Sequence, residues 1–196
     1  MNALYPEERE GIRHAIASRL AEFTTGRMIT RHLLSRFGYE GFPVLASEQR
    51  MPLWPSSCAG SISHSSALCA VAITGTNRMS SLGIDLEPVE SLETDVRSII
   101  ATDDEQRQID TIAAGSSQTP DPGVWLKLFF SIKESVYKSQ YPLNGQMLNF
   151  LDVELQLSGH EFTAIINKPG VQPCRRLTGG WLVRQEHFLT WAFPTA

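Results

Sequence analysis

The stretch "DPGVWLKLFFSIKESVYKS", residues 121–139, constrains this chain most. Asp121 is a helix cap, Pro122 sits in the first turn, and Trp125, Leu128, Phe129, Ile132 and Val136 fall on one stripe. A helix with so wide an apolar face has to bury it against another layer. The sequence then supplies one. "DVELQL", a turn at "SGH", "EFTAII" and "GWLVRQEHFLTWAF" alternate apolar and polar residues as half-buried strands do. A helix laid on a sheet is an α+β architecture.

The first half repeats that order. Ile16, Leu20, Phe23, Leu34 and Phe37 recur at helical spacing over residues 15–37, and Gly38 supplies a stop. Arg27 and Arg31 are i, i+4 neighbours and Arg19 lies two turns earlier, giving that helix a basic side. "FPVLASEQRMPLWPSSCAG" is proline-rich and aperiodic, hence an irregular connection. "SISH", "ALCAVAIT" and "SLGIDLE" read as short strands, the middle one apolar enough to be central. "TDDE" at Thr102 is a capping box that opens another helix, and "AAGSSQTPDPG" is a loop.

Composition excludes several classes. Of the 196 residues 42% are hydrophobic and 19% charged, which suits a globular fold and not a disordered one. A net charge of −4 argues against duplex nucleic acid as a partner. The chain has no run of about 18 apolar residues to span a membrane, and "MNALYPEERE" lacks the pattern of a secretory leader. Cys58, Cys69 and Cys174 are odd in number with no C-x-x-C, so a disulfide scaffold or zinc ribbon is a poor reading and a reduced cytoplasmic setting is expected.

The chemistry-bearing residues form a pattern. Asp85 and Glu87 in "GIDLE" stand two apart on an extended segment, on one side of it, where like charges repel. Glu134 and Lys138 are i, i+4 on the long helix and share a face with Lys127 and Phe130. Three carboxylates offer hard oxygen ligands for Mg²⁺, or Mn²⁺ in its place, and no histidine or cysteine cluster competes for a softer ion. Removing one acid from such a group would relieve repulsion in the metal-free chain. His64 lies between small hydroxyl residues, Ser63 and Ser65, whose amides and hydroxyls suit a phosphate. P-loop, dinucleotide and nucleophile-elbow motifs do not occur.

In order, "RMPLWP", "GSISHS", "GIDLE" and "FSIKESVYK" resemble the 4′-phosphopantetheinyl transferases of the surfactin-synthetase-activating class, nearest the enterobactin synthase component D branch. "RLAEFTTGRMITRHLL" is similar to that branch's first motif; Phe130 stands where many members have tryptophan. The resemblance implies a pseudo-symmetric monomer of two similar α/β halves, about 1–90 and 91–196, with coenzyme A between them. It implies transfer of the phosphopantetheine arm to a serine of an apo carrier protein, with release of adenosine 3′,5′-bisphosphate. Carried over by motif, Asp85, Glu87 and Glu134 hold the metal, Glu134 is the base and Lys138 serves the leaving group. Arg19, Arg27, Arg50, Ser63, His64 and Lys133, with Lys138, hold coenzyme A. A metal-dependent nucleotide hydrolase and a non-catalytic assembly-line subunit are the alternatives; coenzyme A turnover without an acceptor would mark the first, and loss of the acids and lysine the second.

Overall fold

The helix that dominates the sequence, α5 (Pro122–Asn144), lies across a five-stranded antiparallel sheet in a computed structural model that describes residues 3–65, 68–171 and 174–195. Asp121 caps it by accepting from the Gly123 amide, and Gly145, at φ +67°, closes its last turn. Leu128, Phe129, Ile132 and Val136 are fully buried, and Trp125 packs half-buried at the edge of their cluster. That cluster takes its other side from the sheet, through Leu155, Phe162, Ala164, Ile166, Leu177 and Ala192. Burying side chains of this size contributes roughly 1.5–3 kcal/mol each.

Among the described residues the other helices are α1 (Pro6–Glu10), α2 (Ala17–Ser35), α3 (Arg97–Ile100) and α4 (Asp103–Gly115). The strands are β1 (Cys58–Ser65), β2 (Leu68–Gly75), β3 (Gly83–Pro88), β4 (Val153–Ser158), β5 (Glu161–Ile166), β6 (Arg176–Arg184) and β7 (His187–Pro194). The large sheet runs β3-β7-β6-β5-β4, and β1 and β2 form a separate two-stranded sheet under α2. The α+β class is borne out.

Three details differ from the sequence reading. "ALCAVAIT" is not a central strand: among the described residues β2 pairs only with β1, and it is half-buried along its length. Ala67, its expected first residue, lies outside the described residues. "GWLVRQEHFLTWAF" is a hairpin of β6 and β7, turning at Gln185 and Glu186 with φ of 50° and 58°. Paired positive φ defines a type I′ turn, which usually advertises itself with Asn-Gly. Arg31, counted above on the basic side of its helix, turns inward instead. It pairs with buried Glu8 at 2.6 Å, whose other oxygen accepts from the Val44 amide.

Candidate active site

Strand alternation puts Gly83, Asp85 and Glu87 on one face of β3, and that face meets α5. A Cβ on Gly83 would lie 2.0 Å from the Ser135 carbonyl oxygen, so only glycine lets β3 come this close. On α5 the facing stripe is Lys127, Ser131, Glu134 and Lys138, spaced by four, three and four residues. Lys138 Nζ donates to Asp85 Oδ1 at 2.6 Å and Lys127 Nζ to Glu87 Oε2 at 3.3 Å. Ser131 Oγ donates to Asp85 Oδ2 at 2.9 Å. Each acid of the D-x-E pair therefore faces one lysine of the helix.

Glu134 sits between those two lysines, and among the described residues nothing hydrogen-bonds its carboxylate. Burial pushes its carboxyl above the usual range; Lys138 opposes that, while Asp85 and Glu87 add to it. Among the described residues no three metal-ligating side chains converge closely enough to enclose an ion unaided. The donors nevertheless fit a hard divalent cation. Mg²⁺ is usually held by one or two carboxylates, with substrate phosphate and water completing the octahedron.

β1 adds the second wall through its own alternation. Ser61 and Ser63 face β3: Ser61 Oγ accepts from the Ile84 amide at 3.0 Å and Ser63 Oγ donates to Asp85 Oδ1 at 3.0 Å. These hydroxyls join the two sheets where, among the described residues, no main-chain ladder does. Ile62 and His64 point the other way, into a trough of about 410 Å³ that Arg19, Arg27 and Arg50 also line. A second cavity of about 250 Å³, with Trp54, Tyr137, Lys138 and Tyr141, shares Arg50, Pro52 and Ile62 with it, and its Lys138 is the lysine bonded to Asp85.

The trough's charges are individually distinct. Arg27 is buried, donates to the Val44 carbonyl at 2.6 Å and stacks on Phe23; burial pulls its guanidinium down to about 10, so it stays charged at neutrality. Arg19 is exposed and pairs with Glu22 at 3.3 Å. Arg50 rides a tight loop in which the Ser47 amide bonds the Met51 carbonyl, and it holds φ at 65°. A non-glycine residue in that region costs energy and is worth a functional reading. Burial first, then Arg19, with Lys138 and Arg27, hold the His64 imidazole below its ordinary value, against Glu22.

Two residues expected to touch coenzyme A spend their polar groups elsewhere, although the Lys133 side chain also borders a groove beside Glu134. Lys133 faces the core, donating to Glu105 at 2.7 Å and to the Ile100 and Phe150 carbonyls, which uses all three of its protons. Ser63 spends its hydroxyl on Asp85 and not on the trough. Sequence reasoning missed Arg13 and His14, which line the trough from beyond α1, a helix too short to signal itself. It also missed Ser131, although the spacing of Lys127, Glu134 and Lys138 marked the stripe.

Known proteins resemble this chain along most of its length. Residues 7–74 match the 4′-phosphopantetheinyl transferase N-terminal domain and residues 81–189 the 4′-phosphopantetheinyl transferase superfamily. The chain is 36% identical over 182 residues to the 4′-phosphopantetheinyl transferase Svp of Streptomyces mobaraensis, covering 91% of this chain and 72% of that one. It is 28% identical over 150 residues to PptT of Mycobacterium tuberculosis, covering 76% and 63%. Against enterobactin synthase component D of Salmonella typhi it is 37% identical over 139 residues, covering 69% of this chain and 54% of that one. The chain belongs to the 4′-phosphopantetheinyl transferase superfamily, whose members move the phosphopantetheine arm of coenzyme A onto carrier proteins.

Proposed function

We propose that this chain loads the carrier proteins of a siderophore or other nonribosomal peptide assembly line, with polyketide and fatty acid carriers as further acceptors. The observation that carries this reading is the pairing of Lys138 with Asp85 close to Glu134, with Lys138 in the wall of a cavity that adjoins the basic trough. Enterobactin synthase component D among the relatives supports the siderophore setting. The family resemblance leads us to expect a monomer, and three free thiols support a cytoplasmic setting.

The trough takes the adenosine 3′,5′-bisphosphate end, with His64, Arg19, Arg27 and Arg50 on its phosphates and the aromatic cavity on the base. An apolar groove of about 240 Å³ beside Glu134, lined by Tyr137, Met147, Leu148 and Phe150, suits the pantetheine arm. Glu134, raised above an ordinary carboxyl, takes the proton of the incoming serine hydroxyl. Lys138 leaves Asp85 for the pyrophosphate and neutralises charge on the departing oxygen. Asp85, Glu87 and Glu134 would hold Mg²⁺, which when bound screens the pyrophosphate from the attacking oxygen.

Incubation with coenzyme A, Mg²⁺ and apo carriers from each class, read by intact mass, tests this. One phosphopantetheinyl gain on the peptide carriers is expected. Coenzyme A cleavage with no acceptor modified would instead make the chain a nucleotide hydrolase.

A further inference from the structure

Besides Lys138, two hydroxyls hold Asp85. It is only 4% exposed, and both serines that donate to it, Ser63 and Ser131, are as deeply buried. Ser131 is itself tied down. Thr190 Oγ1 donates to the Ser131 carbonyl at 3.0 Å and lies 3.1 Å from its hydroxyl. Thr190 is the residue directly opposite Asp85 in the β3–β7 ladder. The proton count is consistent: Thr190 gives its proton to the carbonyl, which leaves the Ser131 proton for Asp85. Asp85, Thr190 and Ser131 thus close a ring across β3, β7 and α5.

We propose that Ser131 is a positioning residue for the metal, fixing the Asp85 carboxylate in the orientation that presents it beside Glu87 and Glu134. The inference rests on the assignment of Asp85 as a metal ligand. A carboxylate free to rotate has to be immobilised each time an ion binds, whereas one already locked by a buried hydroxyl does not. Groups that hold a ligand in this way typically account for about 10–100-fold in metal affinity.

Electron paramagnetic resonance titration of Mn²⁺ into the coenzyme A complex tests this, using the parent, Ser131→Ala, Ser131→Cys and Thr190→Val. Ser131→Ala is expected to weaken Mn²⁺ by about 10–100-fold. Transfer should then return as Mn²⁺ is raised, so that the KM for metal moves more than kcat. Ser131→Cys, which keeps a weak donor of similar size, and Thr190→Val, which loosens the anchor, should fall between. If Ser131→Ala does not fold, those two carry the test, and parent-like Mn²⁺ affinity in both overturns the proposal. Unchanged affinity in a folded Ser131→Ala overturns it while leaving the metal assignment standing. A parent that transfers the arm yet binds no Mn²⁺ overturns both.

Discussion

Lys138 Nζ lies 2.6 Å from Asp85 Oδ1, so the acid expected to hold a metal is already neutralised by a lysine of the facing helix. Two serine hydroxyls complete its surroundings. The sequence alone suggested that loss of Asp85 would relieve repulsion and stabilise the metal-free chain. The geometry reverses that sign. Asp85→Ala strands two buried hydroxyls and a lysine that is only 28% exposed, and should cost about 1–3 kcal/mol. Thermal unfolding without metal measures it, and an increase in Tm contradicts the assigned contacts. Transfer should be lost in the same variant.

Lys138→Met should lower kcat by roughly 10²–10⁴-fold while leaving coenzyme A binding much less affected. A pH signature accompanies it. Lys138 favours the charged form of Glu134, so its removal lets burial and the neighbouring acids push that carboxyl further up. A base must be deprotonated to act. The rising limb of the pH–rate profile should therefore move to higher pH in the variant, and a limb that stays in place argues against Glu134 as the base.

His64 carries a second pH dependence. In the free protein burial and Arg19 hold its imidazole below the ordinary value, so it is mostly neutral at neutral pH. A phosphate in the trough stabilises the imidazolium and raises that value. Between the two, binding takes up a proton, and coenzyme A affinity must fall as pH rises through this window. His64→Ala and Arg50→Ala should weaken coenzyme A by roughly ten- to a hundredfold, from about 1.5–3 kcal/mol per charge-assisted bond. Dephospho-coenzyme A should be affected little. Calorimetry with both ligands decides whether these residues hold the 3′-phosphate.

The Lys133 ammonium is predicted to matter for stability, while its carbon stem, which borders the groove beside Glu134, is kept by methionine. Lys133 and Glu105 are each 1% exposed, and Lys133→Met leaves the carboxylate buried without its partner, at about 3–5 kcal/mol. Chemical denaturation should show that loss. The folded fraction should bind coenzyme A as the parent does, and a specific loss of affinity would return Lys133 to the phosphate site.

Gly83→Ala should separate β3 from α5. The new methyl meets the Ser135 carbonyl and the Ser139 amide, both main-chain groups that cannot rotate aside. Overpacking of this kind costs about 1–3 kcal/mol, and the displaced Asp85 should lose contact with Lys138. Reduced Tm together with lost transfer is the expected pair of results.

The sequence by itself determined whatever is local. The stripe of Leu128, Phe129, Ile132 and Val136, the Asp121 cap and the Thr102–Glu105 box each arise within one or two turns, so their signals survive without a fold. The motif residues Asp85, Glu134 and Lys138 were legible for the same reason. Only the tertiary structure decided which partner each charge faces. Lys133 and Lys138 are five residues apart on one helix, about 140° around its axis at 3.6 residues per turn, so one meets Glu105 in the core and the other Asp85. Nothing local says which of the two faces the site. Nor does sequence show that β3 pairs with β7 some hundred residues on, which brings Thr190 opposite Asp85 and gives Ser131 its anchor. Contacts across such separations depend on how whole layers stack, and that is settled by the burial of apolar faces over the entire chain.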